Sequence, residues 1–195
     1  MVLVKNKRGV TLLELMVVLA IIGVMTAIAV PYYYGMLPHL RVKGASRDIA
    51  EAFQIARMKA IAKNTTYIVQ FDYNNGSPAN SFTMGPEIGS TGTFATEVDS
   101  GLPWLRNSST YGWTGVQLYS DWLNAPEVFT GGKVMFYSDG TASVDGNGIL
   151  GDHQGAVYLG RLPQSSSPEC YRVLVNELTG MAKIQYINGT LWVDE

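Results

Sequence analysis

The stretch KNKRGVTLLELMVVLAIIGVMTAIAVP, residues 5–31, decides how the rest of the chain is read. Lys5, Lys7 and Arg8 lead into Gly9, and an apolar run follows from Val10 to Val30 with a single charge, Glu14. As a helix rising about 1.5 Å per residue, that run is about 31 Å long, close to the hydrocarbon thickness of a bilayer. A cleaved secretory signal has a shorter apolar core with a small-residue cleavage site after it. Here Ala27 and Ala29 sit directly before Pro31 and make no such site. Basic residues before a span stay in the cytoplasm, so the bulk of the chain is sent outward.

Glu14 is the anomaly. A charge at the centre of a span costs about 3 kcal/mol on insertion scales, and such residues are usually paired or functional. Two readings stand on the residues alone. Glu14 lies only four positions past Val10 and can snorkel to the headgroups, or it is held there for a partner.

Beyond the span the helix is expected to continue. Pro31 removes one hydrogen bond and can kink a long helix without ending it. Tyr32, Tyr33 and Tyr34 suit a membrane interface. Ile49, Phe53, Ala56 and Ala60 then recur at helical spacing, with Arg47, Asp48, Glu51, Arg57 and Lys59 largely elsewhere around the circumference. Gly35, Pro38 and Gly44 mark the weak stretch, and Asn64 with Thr65 and Thr66 is the expected stop. A helix from Val10 to Lys63 would span about 80 Å, half in the membrane and half packed on a domain.

After Lys63 the chain becomes rich in strand formers: TTYIVQFDY (65–73), KVMFY (133–137), GAVYLG (155–160), CYRVLVNE (170–177) and MAKIQYI (181–187). Leu178-Thr179-Gly180 reads as a hairpin turn, and Asp139-Gly140 as a turn favouring positive φ. The fold class is α+β: a long N-terminal helix packed on antiparallel sheet. Residues 74–130 are rich in Gly, Ser, Thr, Asn and Pro and predict loops and short strands. Their aromatics, Trp104, Tyr111, Trp113, Tyr119 and Trp122, are expected to cover a minor core more than to form a partner surface.

Composition narrows the function. The 195 residues are 47% hydrophobic and 15% charged, with a formal charge of −2. That suits one ordinary domain plus an appendage, and it argues against a broad nucleic-acid surface, which needs clustered Lys and Arg. The single cysteine, Cys170, rules out an intrachain disulfide and reads as a buried small hydrophobe. Of the two histidines, His39 follows Pro38 at the expected membrane exit and reads as an interface residue, not a ligand. DGNGILGDHQG (145–155) offers Asp145, Asn147 and Asp152, yet Ile149 breaks EF-hand spacing and no terminal Glu follows, so a Gly-rich turn is expected. GGKV (131–134) lacks phosphate-loop spacing, and G-x-S-x-G is absent. The expectation is no enzyme, no catalytic residue, no cofactor and no metal.

The order of basic residues, Gly9, VTLLE, apolar run and Pro31 closely resembles the class III signal of type IV prepilins and type II secretion pseudopilins. The resemblance implies a leader (1–9) cut after Gly9 by a membrane-embedded prepilin peptidase, and N-methylation of the new terminal residue, Val10. It implies that Glu14, the fifth mature residue, is the assembly residue, and it places the proline at Pro31. Val10 is a departure, since the family usually has Phe there. Cleavage would leave a positive amine on Val10. At about 4 Å and an effective dielectric near 20, opposite charges attract by about 4 kcal/mol, comparable to the cost of burying Glu14. A neighbouring subunit displaced axially by about 6 Å, four residues of helix rise, could set its amine beside this Glu14.

More loosely, VMFYSDGTAS and YRVLVNELTGMAKI resemble the GspH/FimT domain of minor pseudopilins. The resemblance implies a pilin-like fold with three parts: the leader, a helix over 10–63 (10–30 transmembrane), and a β-rich periplasmic domain over 64–195. It implies a single-pass bacterial inner-membrane protein whose partners are other pseudopilins or pilins. The leading expectation is a minor pseudopilin of a type II secretion system, entering a periplasmic pseudopilus. The alternative is a FimT-like minor pilin of type IV pilus assembly or DNA uptake, the latter disfavoured by the acidic ending INGTLWVDE. In the secretion systems the tip subunit of the K type lacks the acid, so Glu14 points to another position.

Overall fold

The computed structural model describes residues 10–72, 81–89, 92–97, 111–112, 116–119, 129, 132–144, 154–160, 170–188 and 191–195. The chain divides into two compact units, Met1–Leu37 and Pro38–Glu195. Helix α1, Leu12–Lys63, contributes to both.

Within the first unit every described residue from Val10 to Met36 is exposed. The helix passes through Pro31 and Gly35 without a break, and beyond them through Pro38 and Gly44. Pro31 and Pro38 lie seven residues apart, about two turns, so their missing N–H groups fall on nearly the same side of the helix.

The second unit explains why α1 persists after Gly44. Val42, Ala45, Ile49, Ala52, Phe53, Ala56 and Ala60 form one buried face, the i, i+3, i+4, i+7 stripe of a core-facing helix. Four of these are alanines, which let sheets approach the helix closely. The helix ends where Asn64 takes a left-handed conformation, φ 49°. Its N–H donates to Ile61 O at 3.3 Å and that of Thr65 to Ala60 O at 3.1 Å, the paired bonds of a Schellman cap.

Among the described residues two five-stranded antiparallel sheets follow, the helix-on-antiparallel-sheet arrangement expected from the sequence. The first has the order β3-β2-β1-β5-β6, from β1 (Tyr67–Asp72), β2 (Ser81–Pro86), β3 (Tyr111–Gly112), β5 (Lys133–Phe136) and β6 (Ala142–Ser143). The second has the order β10-β9-β8-β7-β4, from β4 (Gln117–Tyr119), β7 (Gln154–Gly160), β8 (Cys170–Asn176), β9 (Ala182–Asn188) and β10 (Leu191–Asp194). Both turn alternate residues toward α1. Tyr67, Val69 and Phe71 from β1 share one core with Val157 and Leu159 from β7 and with Tyr171, Val173 and Val175 from β8. The register sets Val173 opposite both Val157 and Ile184, so a slip of one residue would turn the apolar set to the wrong face. Phe53 sits among Phe71, Phe129 and Phe136, with ring centroids 5.8–5.9 Å away. The opposite face of the second sheet carries its own buried group, Ala156, Tyr158, Cys170 and Leu174.

Candidate functional site

The first candidate site is the start of α1. Glu14 N donates to Thr11 Oγ1 at 3.2 Å and Leu15 N to Thr11 O at 3.2 Å. Thr11 is therefore the N-cap and Glu14 stands at the third helical position, the T-x-x-E order of a capping box. Its carboxylate is placed at the positive end of the helix dipole, a gain of about 0.3–1 kcal/mol. This second role for Glu14 was readable from Thr11-Leu12-Leu13-Glu14 and escaped the sequence reading. Val10 and Glu14 are both exposed. Gly9 and the basic residues before it lie outside the described residues.

The helix that follows needs apolar surroundings. An 18-residue window of α1 near the N-terminus has mean hydropathy 2.6 with none of it buried. Leu12, Leu13, Leu19, Met25 and Ile28 are each more than half exposed. The hydroxyl of Thr26 donates to Ile22 O at 2.8 Å and Gly23 O at 3.0 Å, so it is satisfied within the helix, as hydrocarbon requires. Among the described residues this is one helix long and apolar enough to cross a membrane, consistent with a single-pass anchor.

A second cluster lies in the Pro38–Glu195 unit, where both stretches singled out in the β-rich region meet. In the first, Thr141 N and Oγ1 donate to Asp139 Oδ1 at 2.9 and 2.6 Å, bonds that hold the carboxyl below its ordinary range. Gly140 has φ +88°. In the second, Asn176 Oδ1 accepts from Thr179 N and Oγ1, and Gly180 N donates to Asn176 O at 2.8 Å. Gly180 has φ +60°, and a Cβ there would lie 2.4 Å from Gly140 O. Arg57 of α1 donates from Nε to Gly140 O at 2.9 Å. Glu177, just past β8, reaches the end of β6: its O accepts from Ala142 N at 2.8 Å and its buried Oε1 from Val144 N at 3.1 Å. These turns lock helix and sheets together; they present no reactive group.

The remaining candidates separate cleanly. His39 is half-buried with its ring centroid 6.0 Å from that of Tyr171, packed on the β-rich unit. Cys170 is buried, and desolvation drives its thiol well above the ordinary range despite a backbone bond and Arg172. Among the described residues no three His, Cys, Asp or Glu side chains are grouped to hold a metal. The 145–153 stretch with His153, and the side chains of Trp104, Tyr111, Trp113, Tyr119 and Trp122, lie outside the described residues.

Residues 4–30 match the prokaryotic N-terminal methylation motif. With the capped, unburied apolar helix that it overlaps, this gives the chain a type IV prepilin-like N-terminus. Among solved structures the chain is similar to the minor pseudopilin EpsH from the Type 2 Secretion System of Vibrio cholerae. The two share 13% identity and a TM-score of 0.49 over 74% of this chain and 95% of that one. No curated protein sequence matches.

Proposed function

We propose that the chain is a structural minor pseudopilin of a type II secretion system, of the GspH kind, that enters a periplasmic pseudopilus. The observation carrying this reading is Glu14: an exposed carboxylate in the first turn of an unburied apolar helix, four residues from Val10. Removal of the leader after Gly9 frees the Val10 amine, which the peptidase then methylates. The amine of a neighbour, displaced along the axis, pairs with Glu14 and sets the register of packing. Until assembly the span from Val10 to Val30 anchors the protein in the inner membrane, with the β-rich part in the periplasm. The protein works by position and does no chemistry of its own.

The test is a deletion strain complemented with wild type or Glu14→Ala and assayed for secreted enzymes, surface pili and membrane insertion. Glu14→Ala is expected to insert and be cleaved as wild type while losing incorporation and secretion. Normal incorporation of Glu14→Ala refutes the charge-pair reading. Loss of pili with secretion intact assigns the chain to a pilus instead.

A further inference from the structure

Within the Pro38–Glu195 unit, a series of contacts with α1 places the far end of β9 and β10. At the start of β9, Ala182 lines a cavity with Gln54, Arg57 and Met58. Further along, Ile184 O accepts from Glu195 N at 3.2 Å, and Glu195 reaches Lys43 and Arg47. Two residues on, Tyr186 lies opposite both Tyr171 and Val193, and the Tyr171 ring is 6.0 Å from that of His39. Strand β9 therefore tracks α1 backwards, from Met58 to His39. One more step of about 7 Å brings the pair Asn188 and Leu191 past the level of His39. Leu191, Val193 and Glu195 alternate along β10, so they share the face that Glu195 turns to the helix. Leu191 is 71% exposed.

The chain enters the unit at this end, directly from the apolar run, so this is the end tethered to the anchor. No Asp, Glu, Lys or Arg stands between Glu14 and Arg41. As a helix, Leu15 to Leu40 rises about 39 Å, close to the roughly 40–45 Å of a bilayer with its headgroups. With Glu14 at one headgroup layer, Arg41 stands at the other. Arg41 is exposed. Lys43 and Arg47 share Glu195, whereas among the described residues no acid pairs with Arg41. Helical side chains lean toward the N-terminus. The Arg41 guanidinium thus leans toward the anchor, and its planar fork suits a phosphate. Leu40, next to it in sequence, is 44% exposed. An unpaired guanidinium and exposed leucines at one end of a unit suit the boundary between headgroups and acyl chains.

We propose that this end of the β-rich unit, formed by Leu40, Arg41 and Leu191, seats on the outer leaflet of the membrane that anchors the chain. Arg41 binds a lipid phosphate, and Leu191 enters the headgroup–acyl boundary. This rests on the anchor reading above and adds a second hold on the same bilayer.

The test uses the full chain in vesicles of phosphatidylethanolamine and phosphatidylglycerol. Its one cysteine, Cys170, is buried, so a fluorophore attaches selectively to an introduced one. Leu191→Cys reports the seat. Leu178→Cys is the control: Leu178 is 57% exposed but lies in the turn whose Gly180 packs on Arg57, about 27 Å along α1 from His39. Lipid spin-labelled at its headgroup is expected to quench position 191 at least fivefold more than position 178. Arg41→Glu, or phosphatidylcholine in place of phosphatidylglycerol, is expected to cut quenching at position 191 at least twofold, as loss of one basic contact with an anionic surface should. Equal quenching at the two positions, or quenching indifferent to both changes, overturns the proposal. So does a position 191 quenched by a second, spin-labelled copy of the chain and not by lipid. Ile22→Cys separates the two readings. If lipid spin-labelled deep in its acyl chain fails to quench position 22, the anchor reading falls and takes the seat with it. If position 22 is quenched while position 191 is quenched no more than position 178, the seat alone is wrong.

Discussion

Replacing Gly180 by alanine tests whether the two turns and the helix are locked through one point. Gly180 has φ +60°, where a side chain costs about 1 kcal/mol. The added Cβ would also lie 2.4 Å from Gly140 O and 3.0 Å from both Cδ and Nε of Arg57. Gly140 O belongs to a turn at φ +88° and already accepts from Arg57 Nε. It cannot retreat without loosening that bond, a charge-assisted one of about 1.5–3 kcal/mol when well buried. Arg57 is only half-buried, so the low end applies, and the whole substitution should cost about 3 kcal/mol. For a unit of this size that is a fall in Tm of about 6–12 °C. Gly89 is the matched control: it has φ +68°, but a Cβ there meets nothing within 4 Å. Gly89→Ala should therefore cost only the backbone strain, about 1 kcal/mol. Both variants are compared by thermal and urea unfolding of the full chain in one detergent. Equal losses would mean that backbone strain is the whole effect and that the Arg57–Gly140–Gly180 lock contributes nothing.

Phe53→Ala should lower stability by about 3–5 kcal/mol in urea unfolding, since Phe53 is fully buried among three other phenylalanines; a loss near 1 kcal/mol would contradict this packing. Glu97 gives a pH signature. Burial alone would raise its carboxyl, but Lys59 at 3.2 Å, Tyr67 and Lys63 outweigh burial and hold it below 4.5. A depressed folded value means the contribution is complete above the unfolded pKa and disappears as the pH falls through the lower folded one. The wild-type urea midpoint should thus fall more steeply than that of Glu97→Gln between about pH 6 and pH 3, and parallel curves would show that Glu97 is not paired.

The helical part was legible because its signals are local. Ile49, Phe53, Ala56 and Ala60 keep a helical period beyond Gly44, and Asn64 is among the residues that tolerate the left-handed cap. The glycines of the two turns were legible for the same reason: both take positive φ where the sequence places a turn. Their meeting at Arg57 was not, because it depends on residues 83 positions apart in sequence, Arg57 and Gly140. Nothing in either stretch alone encodes that contact.

Strands β2 and β10 escaped for opposite physical reasons. SFTMGP ends in Gly85 and Pro86, residues that normally weaken a strand. Yet a Cβ at Gly85 would lie 1.8 Å from Ala95 O, so the glycine is required by a returning segment that the sequence does not announce. In β10 the cue was present. Asn188-Gly189 stands before Leu191, Trp192 and Val193, a hairpin signal overshadowed by the two acids that follow. Those acids are not a solvated tail. Asp194 pairs with Lys183 and Gln185, and Glu195 reaches both Lys43 and Arg47 of α1. The acidity that argued against binding nucleic acid is spent on surface ion pairs that tie β10 to β9 and to the helix. Among the described residues β10 covers the outer side of β9 from Gln185 to Asn188 and leaves Ala182 and Lys183 without an outer strand.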